Sequence, residues 1–382
     1  MTDEIITNFD EQLDKDFSRN LWCVLGLPFD VVDMKQAIKE VVLASTENRW
    51  CFISTPNMNF LCTAQTDTDF RQSVINSDLS IADGMSVTLL ARILSIPVPE
   101  RVAGSDLIEH LTKRKTKEPL KAFFFGGETG VAEKASKNLN ELDSGVVSVG
   151  HFTPGFGSVE NMSDESIISE INKHDVDFLI VSLGAKKGQA WIEKNKEKLT
   201  TSVVSHLGAV VNFYAGTVKR APVFWQRVGL EWFWRIYQEP SLWNRYLTDG
   251  FKMIKMLFTH VAPYWIWLNF VQDKISFVPV DANIESRDNS LHVIISGSCC
   301  QKNNAPLREV FKQTIKSNKD VILDLTDVSV IDGAFIGLCM LLKKHLRKKE
   351  KIMCIINANS IVNKIIRWNR VEYLLKPCHL GK

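Results

Sequence analysis

Two places in this chain put polar side chains where an apolar run stops short. Cys51-Phe52-Ile53 gives way to Ser54-Thr55-Pro56-Asn57, and Leu79-Ser80-Ile81-Ala82 gives way to Asp83-Gly84. Each reads as a buried strand that ends at its carboxyl edge and hands over to a helix. In open α/β sheets that edge is where ligands sit, so Thr55, Asn57 and Asp83 are expected around one pocket. The glycine after Asp83 lets the backbone turn without a side chain over the carboxylate. A carboxylate held there can take a proton from a hydroxyl, which is general-base chemistry. The plainer role for Asp83 is a turn aspartate capping the next helix.

Glycine turns mark two more edges. The run Ala122-Phe123-Phe124-Phe125 closes in Gly126-Gly127, with Gly130-Val131-Ala132 opening a helix. Amides at a helix N-terminus favour an anion. The turn could hold a nucleotide diphosphate, or it is simply a strand-to-helix turn. Phe178–Val181 leads into Ser182-Leu183-Gly184-Ala185-Lys186-Lys187-Gly188, whose lysines face either a phosphate or water. A third edge, Leu207-Gly208-Ala209, leads to Asn212. Asp67-Thr68-Asp69 has the spacing of a metal–nucleotide motif, but it follows Gln65 in an apparent helix and reads as a solvated face. No Cys/His spacing supports a metal site.

The elements that position these residues alternate regularly. Strands are expected at Cys51–Ser54, Leu79–Ala82, Ala122–Phe125, Val146–Val149, Phe178–Ser182 and Val203–Leu207, with helices such as Met34–Ser45 and Gly130–Leu142 between them. Such alternation implies an α/β fold, a Rossmann-like, mostly parallel sheet with helices on both faces. Residues 1–20 are polar and acidic; they read as a flexible or loosely docked tail, not a signal peptide. From Ser290 a second, smaller α/β domain begins. Its strands are expected at Leu291–Ser296, Val321–Leu325 and Ile352–Ile356, its helices at Pro306–Ser317, Ala334–Lys348 and Ile361–Trp368. It holds no cluster of catalytic residue types.

The chain has 382 residues, 45% apolar and 24% charged, with a formal net charge of +2. Those values fit a soluble globular protein of two or three domains. Its eight cysteines are scattered and read as reduced thiols in a cytosolic protein. No apolar run is long enough to mark a membrane-spanning helix clearly. Between Gly216 and Lys255 the composition turns basic. Lys219, Arg220, Arg227, Arg235, Arg245, Lys252 and Lys255 face only Glu231, Glu239 and Asp249, and six tryptophans fall between Trp225 and Trp267. Such a segment suits an anionic membrane surface; the alternative is a helix packed on the core with its arginines exposed. The tryptophans lie in apolar runs, which argues against nucleic acid. The expected division is a tail (1–20), a main domain with a basic, Trp-rich appendage (21–248), an amphipathic membrane-associating linker (249–285) and a small domain (286–382).

Seven blocks then occur in one order: TPNMNF from Thr55, SDLSIADGMSV from Ser77, RVAGSDL from Arg101, FFFGGETGVAEKA from Phe123, FLIVSLGAKKGQAWI from Phe178, FYAGTVKRAP from Phe213 and GLEWFWRIYQEPSLWNRYL from Gly229. Together they resemble the WecG/TagA/CpsF glycosyltransferase family, over about residues 20–248. The resemblance implies metal-independent, inverting transfer of N-acetylmannosamine, its uronic acid or a related hexose from a UDP-sugar donor. The acceptor would be a polyprenyl-diphosphate-linked sugar at the cytosolic membrane face, in cell-surface polysaccharide synthesis. It implies Asp83 as general base, with Thr55 and Asn57 lining its pocket and Arg101 neutralising phosphate. Arg235 and Arg245 would come from the appendage that closes over the site. Gly126, Gly127, Gly184, Lys187 and Asn212 would belong to the nucleotide and substrate surface. The chain departs from the family pattern LGAPKQEKWI at Lys186, Gly188, Gln189 and Ala190, carries Asn212 where the family often has aspartate, and has a shortened segment that leaves Arg245. These departures support an alternative: a catalytically impaired protein that binds nucleotide sugar or glycolipid and signals through its second domain.

Residues 290–376, with HVIISG from His292, the run from Val321 to Ala358 and SIVNKIIRWNRV from Ser360, resemble a STAS domain, the fold of anti-sigma-factor antagonists. Signalling members are switched by phosphorylation of a serine or threonine after an aspartate. Here Asp332 is followed by Gly333 and Ala334. The expected role is therefore docking to a protein partner or self-association.

Overall fold

A computed structural model describes residues 2–222, 224–225, 229–287 and 290–375, the side chains of residues 2–9 and 273 excepted; Arg227 and Cys378 lie outside the described residues. In chain order the strands are β1 (Leu21–Val24), β2 (Leu27–Asp30), β3 (Cys51–Ser54), β4 (Leu79–Ser80), β5 (Leu120–Gly126), β6 (Val146–Phe152), β7 (Phe178–Ser182), β8 (Val203–His206), β9 (Asp281–Arg287), β10 (Ser290–Cys299), β11 (Asp320–Ile331) and β12 (Met353–Ile356). The helices begin with α1 (Thr2–Ser18), α2 (Met34–Thr46), α3 (Met58–Ala64), α4 (Thr68–Asn76), α5 (Met85–Ile93), α6 (Gly104–Thr112), α7 (Val131–Asn140), α8 (Glu165–Asn172), α9 (Ala185–Asn195) and α10 (Gly208–Ala215). Further on are α11 (Glu231–Gln238), α12 (Trp243–Met256), α13 (Ala262–Phe270), α14 (Ala305–Lys316), α15 (Gly333–Lys348) and α16 (Ser360–Trp368).

The chain divides into two compact units. The larger comprises Val32–Leu90 and Pro97–Phe251; the smaller gathers Met1–Val31, Ala91–Ile96 and Lys252–Lys382. In the larger unit six strands run in the order β4-β3-β8-β7-β5-β6, and each neighbouring pair is parallel. Side chains alternate across a strand, so each strand feeds two cores. Phe124, Ile180 and Ile53 pack with α2, α6, α7 and α10 on one face. Phe123, Phe125, Leu179 and Phe52 pack with Trp191 and Ile192 of α9 and Ile168 of α8 on the other. This is the double-sided burial that continuous apolar strands imply, and the expected sheet is observed.

The smaller unit is a four-stranded sheet in the order β12-β11-β10-β9. β10 pairs β11 and β11 pairs β12 in parallel, and β9 adds antiparallel at the edge. Here the structure corrects the expected tail. Residues 1–20 are helical rather than flexible through most of their length, because Leu13 and Phe17, one turn apart, are buried together with Asp16. Asp16 Oδ2 lies 3.0 Å from Lys344 Nζ and 2.8 Å from His345 Nε2 of α15. The β1–β2 hairpin lies against the same helix. Gly333 and Gly337 permit that approach: a Cβ on Gly337 would stand 2.4 Å from the Leu21 carbonyl oxygen.

The segment expected as linker, 249–285, is mostly helical: the end of α12, a single π-helical turn at Leu257–Val261, and α13, before β9 begins. Tyr264 and Trp267 of α13 are buried and pack on Trp368, with ring centroids 5.9 and 6.3 Å away. Phe258, Trp265, Ile266 and Phe270 are exposed. Cys23, Cys51, Cys62, Cys299, Cys300 and Cys339 form no disulfide. Cys354 is disulfide-bonded, a departure from the all-reduced expectation.

Candidate active site

Four backbone segments meet at the carboxyl edge of the larger sheet. The extended chain of β4 continues past its last paired residue, with the Ile81 amide donating to the Ser54 carbonyl at 2.9 Å. The Asp83 amide then donates to the Pro56 carbonyl at 3.1 Å, and the Val102 amide to the Ala82 carbonyl at 3.0 Å. Gly104, at the start of α6, sits so close that a Cβ there would stand 2.2 Å from the Leu207 side chain and 3.3 Å from Thr55 Cγ2. The ends of β3, β4 and β8 and the Arg101–Gly104 segment are thereby locked together. Thr55 is buried at this junction. Asn57 caps α3, its Oδ1 accepting from the Phe60 amide at 3.2 Å.

Among the described residues the Asp83 side chain makes no hydrogen bond that caps a helix. It lies among packed neighbours while keeping part of its surface open to solvent. Burial pushes its carboxyl up to about 7. Arg101, Arg235 and Arg220 pull the other way, and Glu231 adds to the rise. These groups are themselves tied into a network. Arg101 pairs with Glu231 at 2.9 Å and with Asp106 at 2.5 Å, and Arg220 pairs with Asp106 and Glu109. Desolvation outweighs the three guanidiniums, which leaves a carboxyl that changes charge near neutrality beside a network of three guanidiniums and three carboxylates. The Nε atoms of Arg220 and Arg235 are buried and unpartnered among the described residues. Buried donors of that kind are uncommon in folded proteins unless something binds them.

The glycine turns have structural reasons of their own. A Cβ on Gly126, at φ +97°, would stand 2.5 Å from the Ser182 carbonyl oxygen, and the Gly127 amide already donates to that oxygen at 2.9 Å. The Gly127 amide is therefore spent within the fold. Gly184 precedes α9 at φ +78°, with nothing near the space its Cβ would fill. Lys187 is exposed and donates to the Gly157 carbonyl at 2.9 Å. Lys186 pairs at 2.6 Å with Asp67, which caps α4 by accepting from the Phe70 amide at 2.9 Å. Asn212 lies on α10, where its Oδ1 accepts from Thr217 Oγ1 at 3.4 Å. Arg245 is exposed, its guanidinium 5.2 Å from the centre of the Tyr246 ring. Of the expected residues, Thr55, Asp83, Arg101 and Arg235 come to one region; Lys187 and Arg245 engage Gly157 and Tyr246 instead.

Sequence reasoning missed Arg220, Glu231 and His206. The first two were visible only as members of a basic, aromatic segment. His206 ends β8 at the same carboxyl edge, and a polar residue closing an apolar strand was the signal that could have found it. Its side chain is 9% exposed, and its Nε2 has no hydrogen-bond partner among the described residues. Burial and, next, the charge of Arg235 push it down to about 4, so it is neutral. Among the described residues no group of three or more His, Cys, Asp or Glu is placed to hold a metal ion.

Comparison with known proteins follows the same stretch of chain. The profile of the glycosyl transferase WecG/TagA/CpsF family matches residues 22–264. An N-acetylglucosaminyldiphosphoundecaprenol N-acetyl-beta-D-mannosaminyltransferase of Bacillus spizizenii is 25% identical over 202 residues, 53% of this chain and 77% of that protein. The protein of the same name from Staphylococcus aureus strain MW2 is 25% identical over 224 residues, 58% of this chain and 85% of that protein.

Proposed function

The chain belongs to the WecG/TagA/CpsF family of glycosyl transferases, and from that premise we propose that it moves a hexose from a UDP-sugar to a polyprenyl-diphosphate-linked acceptor, with inversion. N-Acetylmannosamine is the first candidate sugar and lipid-linked N-acetylglucosamine the first candidate acceptor, since the relatives carry both in their names. The observation that carries the chemistry is Asp83, a carboxyl poised near neutrality and faced by Arg101, Arg220 and Arg235.

In this reading Asp83 accepts the proton of the acceptor hydroxyl as that oxygen attacks the anomeric carbon. The bond from that carbon to the diphosphate oxygen breaks, and the electron pair leaves with UDP. A base with a pKa near the working pH suits this transfer. The guanidiniums stabilise charge growing on the diphosphate, and their planar forks suit phosphate oxygens. Guanidinium donors left unpartnered on Arg220 and Arg235 are available to the diphosphate, and we propose that transfer needs no metal and survives chelation by EDTA.

No helix among the described residues is long and apolar enough to cross a membrane. A peripheral location on the cytosolic membrane face fits a lipid-linked acceptor and the exposed Phe258, Trp265, Ile266 and Phe270. The smaller unit we read as STAS-like, without a phosphorylation switch at Asp332. That carboxylate is occupied as the cap of α15, accepting from the Ala334 and Phe335 amides at 2.9 Å. Docking to a partner protein or self-association is its proposed role.

The test is a donor screen with a short-chain polyprenyl-diphosphate N-acetylglucosamine and a panel of UDP-sugars, read by mass spectrometry of the lipid product. A mass gain with one donor, lost in Asp83→Asn while the fold is retained, is the expected result. Full activity in Asp83→Asn removes Asp83 from the role of base. UDP binding without turnover by any donor favours the sensor reading instead.

A further inference from the structure

The His206 ring packs against the backbone of two glycines. A Cβ on Gly188 would stand 2.3 Å from His206 Cδ2, and a Cβ on Gly208 would stand 3.3 Å from His206 Nε2. The next residue on α9, Gln189, is fully buried and shares hydrogen bonds at 3.2 to 3.3 Å with the hydroxyls of Ser54 and Ser73. It is a structural strut. His206, by contrast, is buried with Nε2 unpartnered, and the charge of Arg235 reaches both it and Asp83. A buried imidazole nitrogen left without a partner is costly, and a partner supplied by substrate would relieve that cost. The imidazole carries no charge, so it adds nothing to the arginines' hold on a diphosphate. It suits a neutral hydroxyl, to which it can donate or from which it can accept.

We propose that His206 is a recognition residue for the donor sugar, its unpartnered Nε2 hydrogen-bonding a ring hydroxyl at the carboxyl edge of the sheet. This rests on the donor assignment made above.

The experiment is calorimetric binding of UDP, UDP-N-acetylmannosamine and UDP-N-acetylglucosamine to the full chain and to His206→Ala and His206→Gln. The wild type is expected to bind one sugar nucleotide more tightly than UDP. His206→Ala is expected to lose about tenfold in affinity for that sugar nucleotide, the worth of one hydrogen bond to a buried group, with affinity for UDP unchanged. His206→Gln, which keeps a polar amide near Nε2, is expected to recover part of the loss and serves if the alanine variant does not fold. Equal loss for UDP and the sugar nucleotide, or no loss for either, overturns the proposal, as does a wild type that binds sugar nucleotides no better than UDP. A wild type that binds neither UDP nor any sugar nucleotide fails at the donor assignment itself, and the proposal falls with it.

Discussion

Burial holds Asp83 protonated up to about pH 7, whereas the same carboxyl in an unfolded chain ionises near 3.8. Two consequences have opposite signs. A base must be ionised to act, so kcat/KM is expected to climb as pH rises through about 7 and to level off above it; a profile flat from pH 5 to 8 would exclude Asp83 as base. Stability runs the other way. Between about pH 4 and 7 the folded chain keeps a proton that the unfolded chain has lost, so ionising Asp83 weakens the fold as pH rises. Asp83→Asn should therefore melt higher than wild type at pH 8, and the difference should close as pH falls toward 4; calorimetry across that range checks it. Asp83 and Thr55 were legible because each ends an apolar run. Arg220 and Glu231 were not, because 137 and 148 positions separate them from Asp83 in a linear count, and no local pattern says which basic residue of a segment turns inward.

Helix α9 and strand β8 meet at Gly188. In an exposed helix, glycine to alanine stabilises by about 1 kcal/mol. Here the added methyl would meet the His206 ring at 2.3 Å, and overpacking costs about 1–3 kcal/mol, so the sign should reverse. Gly188→Ala is expected to be destabilising in denaturant unfolding, and His206→Ala in the same chain should relieve it, a coupling that a double-mutant cycle reads directly. An additive cycle would mean that the two elements do not press on each other. The parallel strands were legible from continuous apolar runs, in places to the residue, as with Cys51–Ser54 and Phe178–Ser182. β9 was not: Asp281–Arg287 is an edge strand, exposed along much of its length, so its sequence carries no apolar signature. The β1–β2 hairpin was missed because its strands are four residues each, joined by Leu25 and Gly26 at positive φ.

At the scale of the molecule, the composition pointed to a membrane surface, and the structure leaves Phe258, Trp265, Ile266 and Phe270 75%, 41%, 51% and 62% exposed. Changing all four to serine should abolish sedimentation with phosphatidylglycerol vesicles while leaving the melting temperature within a few degrees, because none is a core residue. Unchanged sedimentation would refute that surface as the membrane contact. The allocation of residues between units was the part least legible, since Met1–Val31 belongs with Lys252–Lys382 through contacts that only the folded chain reveals. Burial raises the Asp16 carboxyl, but Lys344, the His345 hydrogen bond and Arg19 together hold it well below the usual range. Yet 329 positions separate Asp16 from His345. At roughly 5–20 residues per second, the ribosome delivers α15 on the order of tens of seconds after α1. Through that interval Leu13, Phe17 and the hairpin have no helix to lie on, while every strand of the six-stranded sheet can already have emerged. The enzyme's larger unit can therefore mature during translation, and its smaller one must wait with its first piece in hand.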